Sequence, residues 1–518
     1  MHTQCIVKQS TYHDSVTLME VARELTRMPG VLDAAVVMAT DANKGILREA
    51  ELLVPAVEAA TPNDLVVVVK AEDADAANRA LALAESHLAR RPDAAGAGGP
   101  AFQPRTIRGA TRTNPQANLA IISVAGQYAA AEAWDALRSG LHVLLFSDNV
   151  SIEDEVALKQ YAVERGLLMM GADCGTAIVN GVALGFANAV PRGPVGIVAA
   201  AGTGLQEVST LLAKLDVGIS QGIGTGGRDL KEAVGGLTMI AGIEALQADP
   251  ETEVLLLVSK PPAPSVVERV MAQVRRSDKP TVVCFLGGDP AQVAAGAIPA
   301  RTLQEAAYLA AAEVEGYEGA AVDEVMAQES ADLEEQAAAL RQGLTPGQRY
   351  LRGLFSGGTL AAEALLIWEE SVGDVYSNLS ADPRLRLADP TQSAGHCAVD
   401  LGDDVFTVGR PHPMIDNDLR VRRLMQEAAD PEVAVILLDV VLGYGAHPDP
   451  ASELGRAIRQ ARAIAAEEGR ELIVVAAVTG TEQDPQGLAR QVAALEAAGA
   501  VVAPCNAAAA RLVGFVVS

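Results

Sequence analysis

The chain has 518 residues, of which 40 are Lys or Arg and 66 are Asp or Glu, for a formal net charge of −26. That length excludes a single small module and predicts roughly three to five units of about 100–200 residues each. Hydrophobic residues make up 49% of the chain and aromatic ones only 3%, so the core must be built from Ala, Val, Leu and Ile; an acidic surface with no basic stripe and few stacking platforms excludes nucleic acid as a partner.

The first residues, MHTQCIVKQS, carry no basic segment followed by an apolar one, and no apolar run in the chain is long enough to span a bilayer. A cytoplasmic protein with neither export nor membrane insertion is expected. Five dispersed cysteines (Cys5, Cys174, Cys284, Cys397, Cys505) contain no CxxC pair, which argues against a disulfide framework and a zinc ribbon and fits a reducing compartment. The histidines show no metal-ligand spacing, so no metal is expected.

In chain order, a short α/β segment from Val7 to Arg48 comes first. Then follow near-continuous apolar runs: DLVVVVK (64–70), LAIISVAG (119–126), LHVLLFS (141–147), VGIVAA (195–200), EVLLLVS (253–259), TVVCFLGG (281–288), VAVILLDVV (433–441) and ELIVVAAV (471–478). Each precedes an Ala/Leu/Glu-rich stretch of helical period, the pattern of strands buried on both faces in doubly wound, parallel α/β sheets. RRPDAAGAGGPAFQP (90–104) reads as a linker. Glu313–Glu335 carries nine acids and no Lys or Arg, and reads as a solvated acidic connector.

The chain also contains an internal duplication. VGIVAAAGTGLQEVSTLL (195–212) resembles YLRGLFSGGTLAAEALLI (350–367), with Gly202-Thr203 opposite Gly358-Thr359 and Glu207 opposite Glu363; DPETEVLLLV (249–258) matches DPEVAVILLD (430–439). TVVCFLGGDP (281–290) pairs with LIVVAAVTGTEQDP (472–485), and AAGAI (294–298) with AAGAV (497–501). The offset between the copies grows along the chain, and its largest step falls between Thr359 and Asp430. The second copy therefore carries an insertion containing AVDLGDDVFTVGRPHPMIDND (398–418).

Several strings could carry chemistry. AAAGTGLQE (199–207) and FSGGTLAAE (355–363) each end a strand in a glycine turn and open a helix. Gly202, Thr203, Gly204 and Gly357, Gly358, Thr359 can therefore form anion cradles from free first-turn N–H groups, or be ordinary caps. GIGTGGRDL (222–230) sets Gly226 and Arg228 beside a flexible backbone, as ligand contacts or a plain turn. In GRPHPMID (409–416) two prolines present His412 from a rigid turn, with Arg410 as an oxyanion fork and Asp416 as its partner or that of His412. GYGAHPDP (443–450) places His447 at the carboxyl end of a strand, where open α/β sheets bind ligands. MMGADCGTA (169–177) holds Asp173 and Cys174, the thiol being read as inert. There is no P-loop, HExxH or GxSxG motif.

These strings carry a resemblance. Residues from about 118 to 312, through FSDNVSIEDEVALKQYAVERGLLMMGADCGTAI (146–178), GPVGIVAAAGTGLQE and GIGTGGRDL, resemble the CoA-binding and ligase domains of the succinyl-CoA synthetase α subunit. Residues from about 350 to 518 resemble the β subunit's CoA-ligase domain. With MGADCGTA and GRPHPMID in place, the whole chain most resembles the FdrA proteins of the acyl-CoA synthetase superfamily. The resemblance implies an N-terminal α/β segment and linker (1–110), a Rossmann-like CoA-binding domain (111–192), two flavodoxin-like, succinyl-CoA synthetase-like ligase domains (193–312 and 346–518) and an acidic linker (313–345).

Two departures matter. Ala294 stands where the synthetases carry their phosphohistidine, and SKPP (259–262) replaces the turn holding the accompanying glutamate. The resemblance thus implies direct binding of phosphate, carbamoyl phosphate or CoA, other subunits as partners, and a small anionic substrate. In FdrA proteins it implies a subunit of an oxamate carbamoyltransferase of purine and allantoin catabolism, converting oxalurate and phosphate to oxamate and carbamoyl phosphate, with Arg410 on the carboxylate and His412 or His447 as acid/base. The alternatives are an NDP-forming acyl-CoA ligase and an anion-sensing regulatory or scaffold subunit; self-association is left open.

Overall fold

The computed structural model describes every residue except Met1, Tyr12, Asp14, Arg27, Glu51, 90–103, Ala294, Ala295 and 408–410. The chain forms two units, Met1–Gln103 with Asp403–Asp416, and Pro104–Gly402 with Asn417–Ser518. The expected linker at 90–104 falls almost wholly outside the described residues, as does Ala294.

The first unit is a three-stranded antiparallel sheet of β1 (His2–Lys8), β2 (Val31–Met38) and β3 (Leu65–Ala71), in the order β1-β3-β2. Residues alternate across the central strand. Val67 and Val69 meet Leu18, Val21 and Leu25 of helix Ser15–Thr26 and Ala77 and Ala80 of helix Ala74–Ala89, while Val66 and Val68 meet Leu47, Leu52 and Val57 on the other face. The run 64–70, expected as a parallel strand, is antiparallel. Its unbroken apolarity reports that both faces are covered, and carries no information about strand direction. The inserted stretch Asp403–Asp416 of the second copy groups with this unit.

The second unit holds three sheets. β4 (Leu119–Ile122), β5 (His142–Leu145) and β6 (Met169–Met170) form a small parallel sheet. β7 (Thr176–Val179) and β8 (Val182–Gly185) form a hairpin whose turn, Asn180-Gly181, has φ of 51° and 76°, the left-handed pair that a tight hairpin demands. The hairpin joins antiparallel to the edge of a parallel sheet of β9 (Arg192–Ala199), β10 (Ile219–Gly224), β11 (Val254–Ser259), β12 (Thr281–Phe285) and β13 (Ile298–Pro299), in the order β13-β12-β11-β9-β10-β7-β8. The third sheet, all parallel, contains β14 (Tyr350–Phe355), β15 (Val375–Ser377), β16 (His396–Asp400), β17 (Val433–Val441), β18 (Ile473–Thr479) and β19 (Val501–Ala503), in the order β15-β16-β14-β17-β18-β19.

The order β10-β9-β11-β12-β13 in the first copy corresponds to β16-β14-β17-β18-β19 in the second. This is the flavodoxin-like arrangement, with ligand crevices outside the carboxyl ends of the strands. The α/β class with parallel sheets is as the apolar runs indicate.

The acidic connector is more ordered than its composition indicates. Gly319–Arg341 is a 23-residue helix that buries Val322, Leu333 and Ala337, successive steps of eleven and four residues that fall on one helical stripe. Its Glu329 accepts hydrogen bonds from Gln304 Nε2 at 2.6 Å and Tyr308 Oη at 2.9 Å. The helix's other charges are exposed, and the sparse apolar stripe fixes it to its neighbours. The helix before it, Leu303–Glu315, opens on Thr302, whose hydroxyl accepts from Glu305 N, and closes on Gly316 at φ 74°, as cap chemistry requires.

Candidate functional site: two opposed helix N-termini

Strands β9 and β14 each end in a short turn and lead into the helices Gly202–Lys214 and Gly358–Ser371. The first turns of these helices abut. A Cβ added to Gly204 would lie 3.0 Å from Thr359 Cγ2, and one added to Gly357 would lie 3.0 Å from Thr203 Oγ1. Small residues at these positions are what let the two N-termini approach.

A reciprocal exchange of carboxylates holds the pair together. Glu207 Oε1 accepts from Asn506 N at 3.0 Å, in the first turn of helix Asn506–Val517, and its Oε2 accepts from Thr479 Oγ1. Glu363 Oε1 accepts from Leu303 N at 2.6 Å, in the first turn of helix Leu303–Glu315, and its Oε2 accepts from Asn506 Nδ2 at 2.7 Å. Each copy thus supplies an acid to the last helix of the other copy, where N–H groups and the helix dipole favour negative charge. Burial is the main cause that pushes Glu363 up to about 7, with the nearby Glu207 adding and the Asn506 hydrogen bond opposing. The internal duplication pairs Glu207 with Glu363 but assigns neither a role.

Neither helix has a side-chain cap at its N-terminus, but the two turns differ. In the second copy Asp439, fully buried on β17, accepts from Ser356 N at 2.8 Å, Ser356 Oγ at 2.9 Å and Gly357 N at 2.8 Å, and pairs with Arg420 at 3.0 Å. The Gly357 amide, expected in the anion cradle, is therefore spent on an internal carboxylate. In the first copy the matching residue is Val258, which supplies no such acceptor; only its carbonyl takes the Ala200 N–H.

Polar side chains collect around the turns. Thr176, 2% exposed, places Oγ1 3.2 Å from the Cβ position of Gly202. Lys260 Nζ lies 3.4 Å from the Cβ position of Gly358, and Asp400 Oδ2 lies closer still. The hydroxyls of Thr176, Thr203 and Thr359 make no hydrogen bond among the described residues, although Thr359 is only 4% exposed. None of the three is among the sealed, unpartnered polar atoms, so these hydroxyls stay open to a donor or acceptor from outside the chain. Beside the Asp400 carboxylate the turns offer donors, namely amides, hydroxyls and one ammonium, a set that can hold a small oxyanion.

The other expected site residues lie elsewhere. Gly226 occupies a left-handed turn (φ 85°), where a Cβ would collide with Ala172 O. Arg228 forms an ion pair with Glu155 at 2.7 Å and donates to Val150 O at 2.9 Å. It belongs to a buried network in which Lys159 bridges Asp229 (2.6 Å) and Glu155 (3.0 Å), while Asp229 accepts from Thr238 N and Met239 N at the start of helix Leu237–Ala248. This network pins helix Ile152–Val163 to the glycine loop. His447 is buried and accepts from Asp449 N at 3.0 Å through Nδ1, with Nε2 3.3 Å from Glu453 in the first turn of helix Pro450–Glu467, so its ring tethers its loop to the start of that helix. His412 Nδ1 accepts from Met414 N at 3.2 Å, and His412 and Asp416 belong to the first unit rather than the one containing the turns. Arg410 lies outside the described residues. Burial pushes the Cys174 thiol up to about 12, which fits the inert reading.

Sequence reasoning missed Thr176, Lys260, Asp400 and Asp439. A signal existed for one of them: an aspartate inside VILLDVV must find donors if the strand is buried. Among the described residues no group of His, Cys, Asp and Glu could hold a metal.

The chain is similar in part or in whole to several known proteins. Residues 354–516 match the CoA-ligase family, and residues 1–104 match a domain described as "AllF, heavy metal-associated domain". That stretch holds a single cysteine, Cys5, whose thiol burial raises, and one thiol is a poor donor set for a soft metal. Succinate–CoA ligase [ADP-forming] subunit alpha of Aquifex aeolicus is 29% identical over 178 residues, 33% of this chain and 57% of that protein. The structure of a Ca. Korarchaeum cryptofilum acetyl-coenzyme A synthetase with phosphate and ADP aligns over 77% of this chain and 82% of its own, at 16% identity and a TM-score of 0.31. The "Uncharacterized protein YahF" of Escherichia coli (strain K12) is 47% identical over 508 residues, covering 97% of this chain and 96% of that one. The chain belongs to the family of that Escherichia coli protein, with a CoA-ligase domain over residues 354–516.

Proposed function

We propose that the abutting turns hold the phosphoryl group of a small acyl phosphate, or free phosphate, and that the chain is the acyl-transfer subunit of an enzyme of the CoA-ligase class. The observation that carries this reading is the pair of opposed, uncapped helix N-termini with partnerless threonine hydroxyls around them. Donors fixed by the fold cost no reorganisation as charge collects on a leaving phosphate. The CoA thiol is the first candidate acceptor, in line with the succinate–CoA ligase relative. The thiolate would attack the acyl carbon, the bond from that carbon to the phosphate oxygen would break, and the turns would retain the phosphate. Ala294 cannot carry a phosphoryl group, so phosphate is a diffusible reactant here. The segment between the two ligase-like copies is a helix, and nucleotide chemistry is assigned to a partner subunit. Both belong in the cytoplasm.

A second reading is an FdrA-type carbamoyltransferase, with carbamoyl phosphate as the acyl phosphate and oxamate as acceptor. The match of residues 1–104 to the AllF domain favours it. One experiment separates the two. The full chain with its partner subunits receives either acetyl phosphate or succinyl phosphate with CoA, or oxalurate with phosphate. Thioester in the first case supports the ligase reading, and carbamoyl phosphate in the second supports the transferase. Neither product, with phosphate still bound, leaves the anion-sensing subunit as the reading.

A further inference from the structure

The anion reading leaves open which residue supplies full positive charge, and the inference that follows rests on that reading. Helix dipoles and amides offer partial charges, whereas a phosphoryl dianion is held best by a cation within direct reach. Among the expected cations, Arg228 is committed to Glu155 and Arg410 lies outside the described residues. The turn after β11 supplies another.

We infer that Lys260 is the cationic ligand-binding residue of the second copy's turn, and that the group it takes there is phosphoryl. Three observations support this. Lys260 follows the last residue of β11, at the carboxyl end where ligands of such sheets sit. Its Nζ lies 3.4 Å from the Cβ position of Gly358, so a lysine of the first copy reaches the helix N-terminus of the second. Among the described residues no carboxylate forms an ion pair with it, although Asp400 Oδ2 approaches Gly358 as well. Thr176 Oγ1 lies at the first copy's turn, 3.2 Å from the Cβ position of Gly202, and Thr359 stands in the first turn of the second copy's helix; they are 2% and 4% exposed, and neither hydroxyl makes a hydrogen bond among the described residues.

The three remaining first-turn amides complete the arrangement. Asp439 consumes the Ser356 and Gly357 N–H groups, which leaves Gly358, Thr359 and Leu360 to face a ligand alongside Lys260. Lys260 is exposed, and its replacement should leave the fold unchanged.

The test is isothermal titration of inorganic phosphate, and in parallel of acetyl phosphate and oxamate, into the full chain at low ionic strength. Wild type should bind phosphate and acetyl phosphate in preference to oxamate. Lys260→Gln should weaken phosphate binding by ten-fold or more, Lys260→Arg should recover most of it, and Lys231→Ala, an exposed lysine elsewhere, should change nothing. If wild type binds phosphate and Lys260→Gln binds it within two-fold, the inference fails while the anion reading stands. If wild type binds neither phosphate nor acetyl phosphate, the anion reading fails and takes the inference with it.

Discussion

Replacing Glu363 by Gln should remove a pH dependence from the stability of the second unit. Glu363 is 1% exposed, and burial raises its carboxyl from 4.5 to about 7. A carboxyl raised in this way binds its proton more tightly folded than unfolded. Its contribution to stability is therefore full below about pH 4.5 and is lost as pH rises through about 7. The shift corresponds to about 3 kcal/mol across that window. A glutamine does not titrate, so its altered contacts with Leu303 N and Asn506 Nδ2 produce an offset that is constant in pH.

The assay is urea unfolding at several pH values between about 5 and about 8, in a Trp134→Phe background. The chain has two tryptophans, so the fluorescence then reports Trp368, fully buried on the same helix with its Nε1 bonded to Ala510 O at 2.8 Å. Relative to the Glu363→Gln variant, the chain that keeps Glu363 should lose about 3 kcal/mol from the acid end to the alkaline end. Two parallel stability curves would refute the reasoning, because they would mean that Glu363 is already ionised throughout.

Two further substitutions probe the supports of the site. Asp439→Asn should cost about 3–5 kcal/mol, because it leaves the buried Arg420 guanidinium without its counter-charge; urea midpoints measure this, and a loss below about 1 kcal/mol would contradict it. Lys159→Met should cost about 3–5 kcal/mol by stranding Asp229 and weakening the Glu155 pairing, both fully buried. Calorimetry checks that, and an unchanged melting temperature would show the carboxylates to be satisfied by Arg228 and the backbone alone.

Much of the fold was legible because strands covered on both faces must be apolar, and a duplicated core repeats its apolar spacing. The matches 195–212 with 350–367 and 249–258 with 430–439 fall on β9/β14 and β11/β17 and their helices, at equivalent places in the two sheets. Strand direction at 64–70 was not legible, since apolar content reports burial alone. The connector's helix was masked by its charge, which conceals a stripe of only a few apolar residues. Site residues divide on the same principle. The glycine turns announce themselves locally, whereas Lys260, Thr176 and Asp400 matter only through contacts made across copies or strands. The Lys159–Asp229 pair lies seventy residues apart in sequence, and nothing local marks either residue as buried. His412 and His447 stand out as rare residues in proline-rich turns, yet such turns also demand structural hydrogen bonds, and those are what His447 makes.

The central claim is that the paired helix turns bind a phosphoryl oxyanion. Its most direct test is a phosphorus NMR titration of inorganic phosphate with the full chain and with a Thr203→Val/Thr359→Val variant, which removes two hydroxyls without altering shape. The account predicts saturable binding near one equivalent, weakened ten-fold or more in the variant while its far-ultraviolet spectrum stays unchanged. Absence of saturable binding to the wild type, or equal affinity in the two proteins, would contradict it.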